Sequence, residues 1–266
     1  MDTNSIIELI LNISHIQGEH NQDYTIDVTP EGIVNILRKE NGNTSLHPMA
    51  WGVVITEQME KLPVKFGKIE GYFHIEALGL TTLENCPDYV AASFSCSHNP
   101  LQNLSGAPKF ISGECRMEDC NISSCHDIPK NCKSYFLKNN NITSLEGLVT
   151  NNQCISIDVS HNYLKNLHNC PPVQYLFINN QKEQIQTLKG IPSTIEHIVL
   201  DTDTPVLLLL DTNITNFNRL TFVPEGDEAN RLKEFIEKYK KSGEDLDMVS
   251  LAFELKAAGL KKQAKL

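Results

Sequence analysis

The feature that most constrains this chain is a repeat at a pitch of about 21 residues. One apolar ladder runs through Leu80, Leu101, Ile122, Ile142, Leu164 and Ile185, at spacings of 21, 21, 20, 22 and 21. A second follows three positions later through Leu83, Leu104, Cys125, Leu145, Leu167 and Leu188, and Met59 and Leu62 carry both ladders one unit upstream. A fixed period of this length points to a solenoid, in which each unit buries its apolar side against the next. Upstream of the ladders each unit holds an alternating apolar pair: Phe73/Ile75, Phe94/Cys96, Cys115/Met117, Tyr135/Leu137, Ile157/Val159, and then Ile178 with the polar Asn180. Alternation at period two predicts a short strand buried on one face.

Two positions past the second ladder stand Asn85, Gly106, Asp127, Gly147, Asn169 and Gly190. Only residues that tolerate a left-handed backbone occupy this column, which predicts a turn with positive φ in every unit. A proline follows at Pro87, Pro108, Pro129, Pro171 and Pro192. Proline fixes φ and donates no hydrogen bond, so that side of each unit is expected to be extended or polyproline-like. A unit this short has no room for a long helix.

The order apolar-x-apolar-x-x-Asn-x-apolar-x-x-apolar, in "FSCSHNPLQNL" from Phe94 and "IDVSHNYLKNL" from Ile157, resembles the leucine-rich repeat. "KLPVKFGKIEGYF" and the tail "FIEKYKKSGEDLDMVSLAFELKAAGLKKQAKL" are similar to short-repeat leucine-rich proteins encoded by tailed bacteriophages. In three units the Asn column holds Leu78, Cys120 and Glu183 instead. The resemblance implies a mostly β, curved leucine-rich-repeat solenoid of six to seven short repeats and a phage context; it implies no reaction.

Both ends of such a stack need covers. Residues 1–58 are expected to form an N-terminal cap of a short helix in "SIIELILNIS", a β-hairpin in "DYTIDVTPEGIVNILRK" and a degenerate repeat. The solenoid is assigned to residues 59–224. After Pro192 its pitch is lost, and Ile214 and Phe217 rejoin the ladders only after an insertion around "DTDTPVLLLL". Residues 225–266 are expected to form a helical C-terminal cap. One helix runs over Asp227–Tyr239 with Leu232, Phe235, Ile236 and Tyr239 on one face, and a second runs from Leu246 to Ala258 and stops at Gly259.

Against a formal net charge of −10, only the terminal "KKQAKL" hints at a basic face for phosphates, so no nucleic-acid partner is expected. The N-terminal stretch starts acidic and breaks its apolar run with Asn and Ser, unlike a signal peptide. The longest purely apolar run, "VLLLL", is far short of a membrane span. The expectation is a cytoplasmic protein with no membrane association, in the host cytoplasm if phage-encoded.

Eight cysteines invite a zinc site, and Cys115, Cys120 and Cys125 stand close to His126. The repeat explains them otherwise: Cys96, Cys115 and Cys125 occupy apolar positions, Cys120 the Asn column, and Cys86 and Cys170 the small position after the turn. With no C-x-x-C pair, neither metal, cofactor nor disulfide is expected. No phosphate-cradling loop, metalloprotease motif or nucleophile elbow occurs. The last cysteine is Cys170, so the C-terminal helices lack the nucleophile of bacterial leucine-rich ubiquitin ligases. The chain is expected not to be an enzyme.

If the alternating pairs point inward, their neighbours point outward on the concave strand face. These are Tyr72, His74, Glu76, Ser95, His98, Arg116, Glu118, Phe136, Lys138, Asp158, His161, Phe177 and Asn179. Phe136, Phe177 and Tyr72 gain little for folding by facing water, whereas aromatics beside Arg are common energetic centres of interfaces. The expected function is a non-enzymatic protein-binding scaffold, a phage protein that binds and inhibits or redirects a host protein in host takeover or anti-defence. A virion or assembly accessory role, or an enzyme without a recognisable motif, are the alternatives. The oligomeric state stays open.

Overall fold

The computed structural model describes residues 1–17, 24–39, 51–151, 153–210, 219–242 and 248–264. Helix α1 (Thr3–Ile13) starts at Asp2, whose carboxylate accepts hydrogen bonds from the Ser5 N–H at 3.0 Å and the Ser5 hydroxyl at 2.8 Å. It buries Ile6, Ile10 and Ile13 and leads into strand β1 (Ser14–Gln17). Strands β2 (Tyr24–Val28) and β3 (Val34–Arg38) form the expected antiparallel hairpin, with Ile26 opposite Ile36. Gly32 turns it at φ +79°.

Each coil then adds one strand to a ten-stranded sheet in the order β1, β4 (Gly52–Ile55), β6 (Tyr72–His74), β8 (Phe94–Ser95), β10 (Glu114–Arg116), β11 (Ser134–Phe136), β12 (Ser156–Asp158), β13 (Tyr175–Phe177), β14 (His197–Asp201) and β15 (Leu220–Val223). Every pairing is parallel except that of β1 with β4. Strand β4, in the stretch assigned to the N-terminal cap, is already part of the parallel stack. The register places Val53, Phe73, Phe94, Cys115, Tyr135, Ile157, Leu176, Ile198 and Leu220 in one buried file. The chain is thus a mostly β, parallel solenoid with capped ends, as the period predicts.

The sixth pair differs from the expectation. Leu176 and Ile178 point inward, both with no exposed surface, whereas Asn180 is exposed at φ +56°. Ile157 and Leu176 are 19 residues apart, so the coil is short before the strand and regains its length before Ile185.

In the first coils the returns are extended as expected and join the hairpin in a second sheet, β2–β3–β5 (Phe66–Ile69)–β7 (Tyr89–Val90)–β9 (Phe110–Ile111). Later returns depart from that expectation: Asn131 after Pro129 is left-handed at φ +70°, and the Ile195 N–H closes a turn onto Pro192 O at 3.1 Å. Further along, the backbone stays bonded without a strand, as where the Lys133 N–H donates to Gly113 O at 2.8 Å.

The Asn column holds the coils together. Asn99 Oδ1 accepts from the Leu78 and Leu80 N–H groups, both at 3.0 Å, and its Nδ2 donates to Ile75 O at 2.7 Å and Cys96 O at 2.8 Å. Asn140 repeats this bonding one coil on from Cys120, and Asn162, a coil further, keeps it with one N–H donor, Ile142, in place of two. In the next coil the place belongs to Gln181, not Glu183. Its Oε1 accepts from the Leu164 N–H at 2.8 Å, and its Nε2 donates to Val159 O at 2.8 Å and Ile178 O at 3.1 Å. The longer amide makes the same bridge, and the short coil brings it into position.

In the turn column Asn85, Gly106, Gly147, Asn169 and Gly190 have positive φ, between +62° and +96°; Asp127 does not. Its turn still closes, with the Ile128 N–H donating to Cys125 O at 3.3 Å. A type I turn does this without a left-handed residue, and Asp suits it, whereas Gly and Asn suit type II.

At the C-terminal end, α2 (Val206–Leu210) occupies the "VLLLL" run. Helix α3 (Asp227–Ser242) buries Ala229, Leu232, Phe235 and Ile236, and α4 (Met248–Ala257) buries Leu251 and Leu255 before the chain turns at Gly259, φ +79°. Leu246, Ile214 and Phe217 lie outside the described residues. Among the described residues no helix is long and apolar enough to cross a membrane.

Candidate functional site

Side chains on the outward face of the long sheet fall into three files, because parallel register stacks like positions. The middle file reads Val54, His74, Ser95, Arg116, Phe136, Asp158, Phe177, Val199 and Thr221. Tyr72, Glu114, Tyr175 and His197 belong to the file on one side. Glu76, Glu118, Lys138 and Asn179 belong to the other, where the ladder continues past the strand ends through bonds such as Ala77 N–H to Ser97 O at 3.0 Å and Asn139 N–H to Ser160 O at 3.1 Å. The predicted face residues Tyr72, His74, Glu76, Ser95, Arg116, Glu118, Phe136, Lys138, Asp158, Phe177 and Asn179 therefore share one surface.

His98 and His161 do not. Each sits one residue before the Asn column in a left-handed conformation, φ +62° and +57°, which ends the alternation and turns the side chain to the edge of the face. Ala77, Asp119, Asn139 and Asn180 occupy the same place in their coils, all with φ of +55° or +56°. This polar rim bonds internally: His98 Nδ1 lies 3.4 Å from Asp119 Oδ2, and Asn139 Nδ2 donates to Asp119 Oδ1. His, Asp and Asn are the side chains most tolerant of positive φ, so their recurrence before the Asn column was a readable signal. Tyr175, 38 % exposed, was missed because the sixth pair was placed two residues late.

Much of the face is small. Ser93, Ser95 and Ser97 point outward yet are buried. His74 Nε2 is 3.1 Å from Ser93 Oγ, and its ring stacks on Tyr72 at 4.6 Å. Burial pushes the His74 pKa down, which favours the neutral ring.

The centre of the face is more distinctive. The Arg116 guanidinium pairs with Glu114 at 2.7 Å and lies over the Phe136 ring, 4.0 Å from its centroid. Next to Phe136 comes Asp158, whose Oδ1 accepts from the Ser160 N–H at 2.9 Å and the Ser160 hydroxyl at 2.6 Å. Phe177 follows on the next strand, half-buried like Phe136.

Elsewhere the thiols are closed off. All eight cysteines are free thiols, seven of them buried. Burial pushes Cys125, Cys154 and Cys170 up to about 12. Cys120 is shifted down by a hydrogen bond with the Cys96 thiol, but has no exposed surface from which to attack a substrate. Among the described residues no three His, Cys, Asp or Glu side chains converge as metal ligands. A groove of about 230 Å³ lies toward the C-terminal end, lined by Gln181, Glu183, Asp201 and Asp203 among others. Burial raises the Asp201 pKa, against hydrogen bonds from the Asn180 N–H at 2.8 Å. Compared with protein-family profiles, curated proteins and solved structures, the chain finds no match in any of the three.

Proposed function

We propose that the protein is a non-enzymatic scaffold whose long sheet face binds a protein partner. The observation that carries this reading is the aromatic centre of the face: Phe136 under Arg116, Phe177 beyond Asp158, and the exposed Tyr175 beside them. Aromatic and Arg side chains are enriched among residues that dominate binding energy. Ten strands at about 4.8 Å and three outward residues per strand give a face of roughly 700 Å², close to one side of a standard interface. The leucine-rich-repeat pattern and its likeness to tailed-phage proteins make a bacterial host protein the first partner to seek, one that the scaffold would inhibit or redirect.

The test is Phe136→Ala. Stability is expected to change by about 1 kcal/mol or less, while binding of a partner captured from host lysate weakens by more than about 2 kcal/mol. A variant that unfolds, with undiminished binding per folded molecule, would assign the ring to the core and remove the face as the site.

A further inference from the structure

We infer that the gap between Phe136 and Phe177, floored by Asp158, is a slot for one cationic side chain, arginine in preference to lysine, projected by the protein partner; the inference rests on the scaffold reading above. The three residues occupy one file on the consecutive strands β11, β12 and β13. Strands lie about 4.8 Å apart, so the two residues are rooted roughly 10 Å from each other with Asp158 on the strand between them. A cation held midway between rings that rise straight from their strands would be about 5 Å from each, inside the range of cation–π attraction.

Three details fit the slot to a cation. Arg116 covers one side of Phe136 from β10, so the opposite side of that ring looks across the sheet toward Asp158. That contact, at 4.0 Å, shows the ring accepting a guanidinium in this setting. The Asp158 carboxylate has only Ser160 on its Oδ1, and among the described residues no cation forms an ion pair with it. Nearby positive charge is limited: Arg116 is bound to Glu114, and Lys138, one strand over, is exposed and makes no ion pair with Asp158. Glu76, Glu118 and Asp201 add negative charge to the same face, which favours a basic segment over an acidic one. Arginine is preferred because its flat, weakly hydrated guanidinium stacks on rings while bonding a carboxylate.

The experiment titrates the folded protein with N-acetyl-arginine amide, N-acetyl-lysine amide and the uncharged isostere N-acetyl-citrulline amide, following aromatic resonances by NMR. Variants Phe136→Ala and Phe177→Ala assign the rings. Saturable shifts of both rings are expected with the arginine compound in the millimolar range, less affinity with lysine, and none with citrulline. Asp158→Asn keeps an acceptor for Ser160 and should weaken arginine binding by about ten-fold. Equal shifts with citrulline, undiminished binding by Asp158→Asn, or no shift up to about 50 mM would overturn the slot. A partner held equally by wild type and Asp158→Asn would also overturn it while leaving the scaffold reading intact. Arginine binding without any protein partner would overturn the scaffold reading and leave the slot.

Discussion

Replacing Asn140 with alanine tests whether the Asn column, and not apolar packing alone, holds neighbouring coils together. The side chain is 1 % exposed. Its Oδ1 accepts from the Cys120 and Ile122 N–H groups, both at 3.0 Å, and its Nδ2 donates to Met117 O at 2.7 Å and Leu137 O at 2.9 Å. Leu137 O keeps a donor in Asn162 Nδ2 at 2.9 Å, so alanine strips this bridge from three buried groups: two N–H donors and Met117 O. At about 1–3 kcal/mol for each unsatisfied group, and with some water entering the space left, the loss comes to about 3–5 kcal/mol. With an unfolding entropy of about 2.1 cal/mol/K per residue, that is a fall in midpoint of roughly 5–9 °C. Denaturation would be followed by far-UV circular dichroism and, separately, by emission of the single Trp51, which is 6 % exposed at the start of the stack. The control is Asn139→Ala, one residue earlier on the exposed rim, expected to change stability by about 1 kcal/mol or less. If the two variants lose the same amount, or Asn140→Ala loses less than about 1 kcal/mol, the amide bridge is not what joins the coils.

The converse change should stabilise: Cys120 occupies the same column without an amide, a cavity of about 120 Å³ adjoins it, and Cys120→Asn is expected to raise stability by about 1 kcal/mol in the same assay. Thiol reagents should label the native protein slowly and all eight cysteines rapidly after denaturation; fast native labelling of most of them would contradict the buried placement. The raised thiol pKa values also give a sign for pH. Unfolded thiols ionise near about 8.5, whereas Cys125, Cys154 and Cys170 hold their protons to about 12, so their contribution is whole below about pH 8.5 and is lost as pH rises toward 12. Urea midpoints that rise between pH 8 and pH 11 would refute this. Deleting residues from Asp227 onward removes Leu232, Phe235 and Ile236 from the end of the stack and Gln263 Nε2 from Thr202 O, a bond of 2.6 Å. Aggregation or loss of cooperative unfolding is expected, and a monomeric truncation with an unchanged midpoint would show the tail to be an appendage.

The period, the inward pairs of five coils and the face that carries Phe136 and Phe177 were legible in the sequence, because each follows from local alternation repeated often enough to remove ambiguity. The exchange of Glu183 for Gln181 was not. Strand register is settled by cross-strand pairing, and a coil of 19 residues between Ile157 and Leu176 appears only when the pairing partner is known. The edge placement of His98 and His161 likewise depends on a left-handed backbone set by bonds to the next coil, such as His98 N–H to Glu118 O at 2.8 Å. Sequence alone placed Arg116 and Phe136 on one face; their contact, with Asp158 on the strand beyond, was decided by which strands became neighbours and how the side chains packed between them.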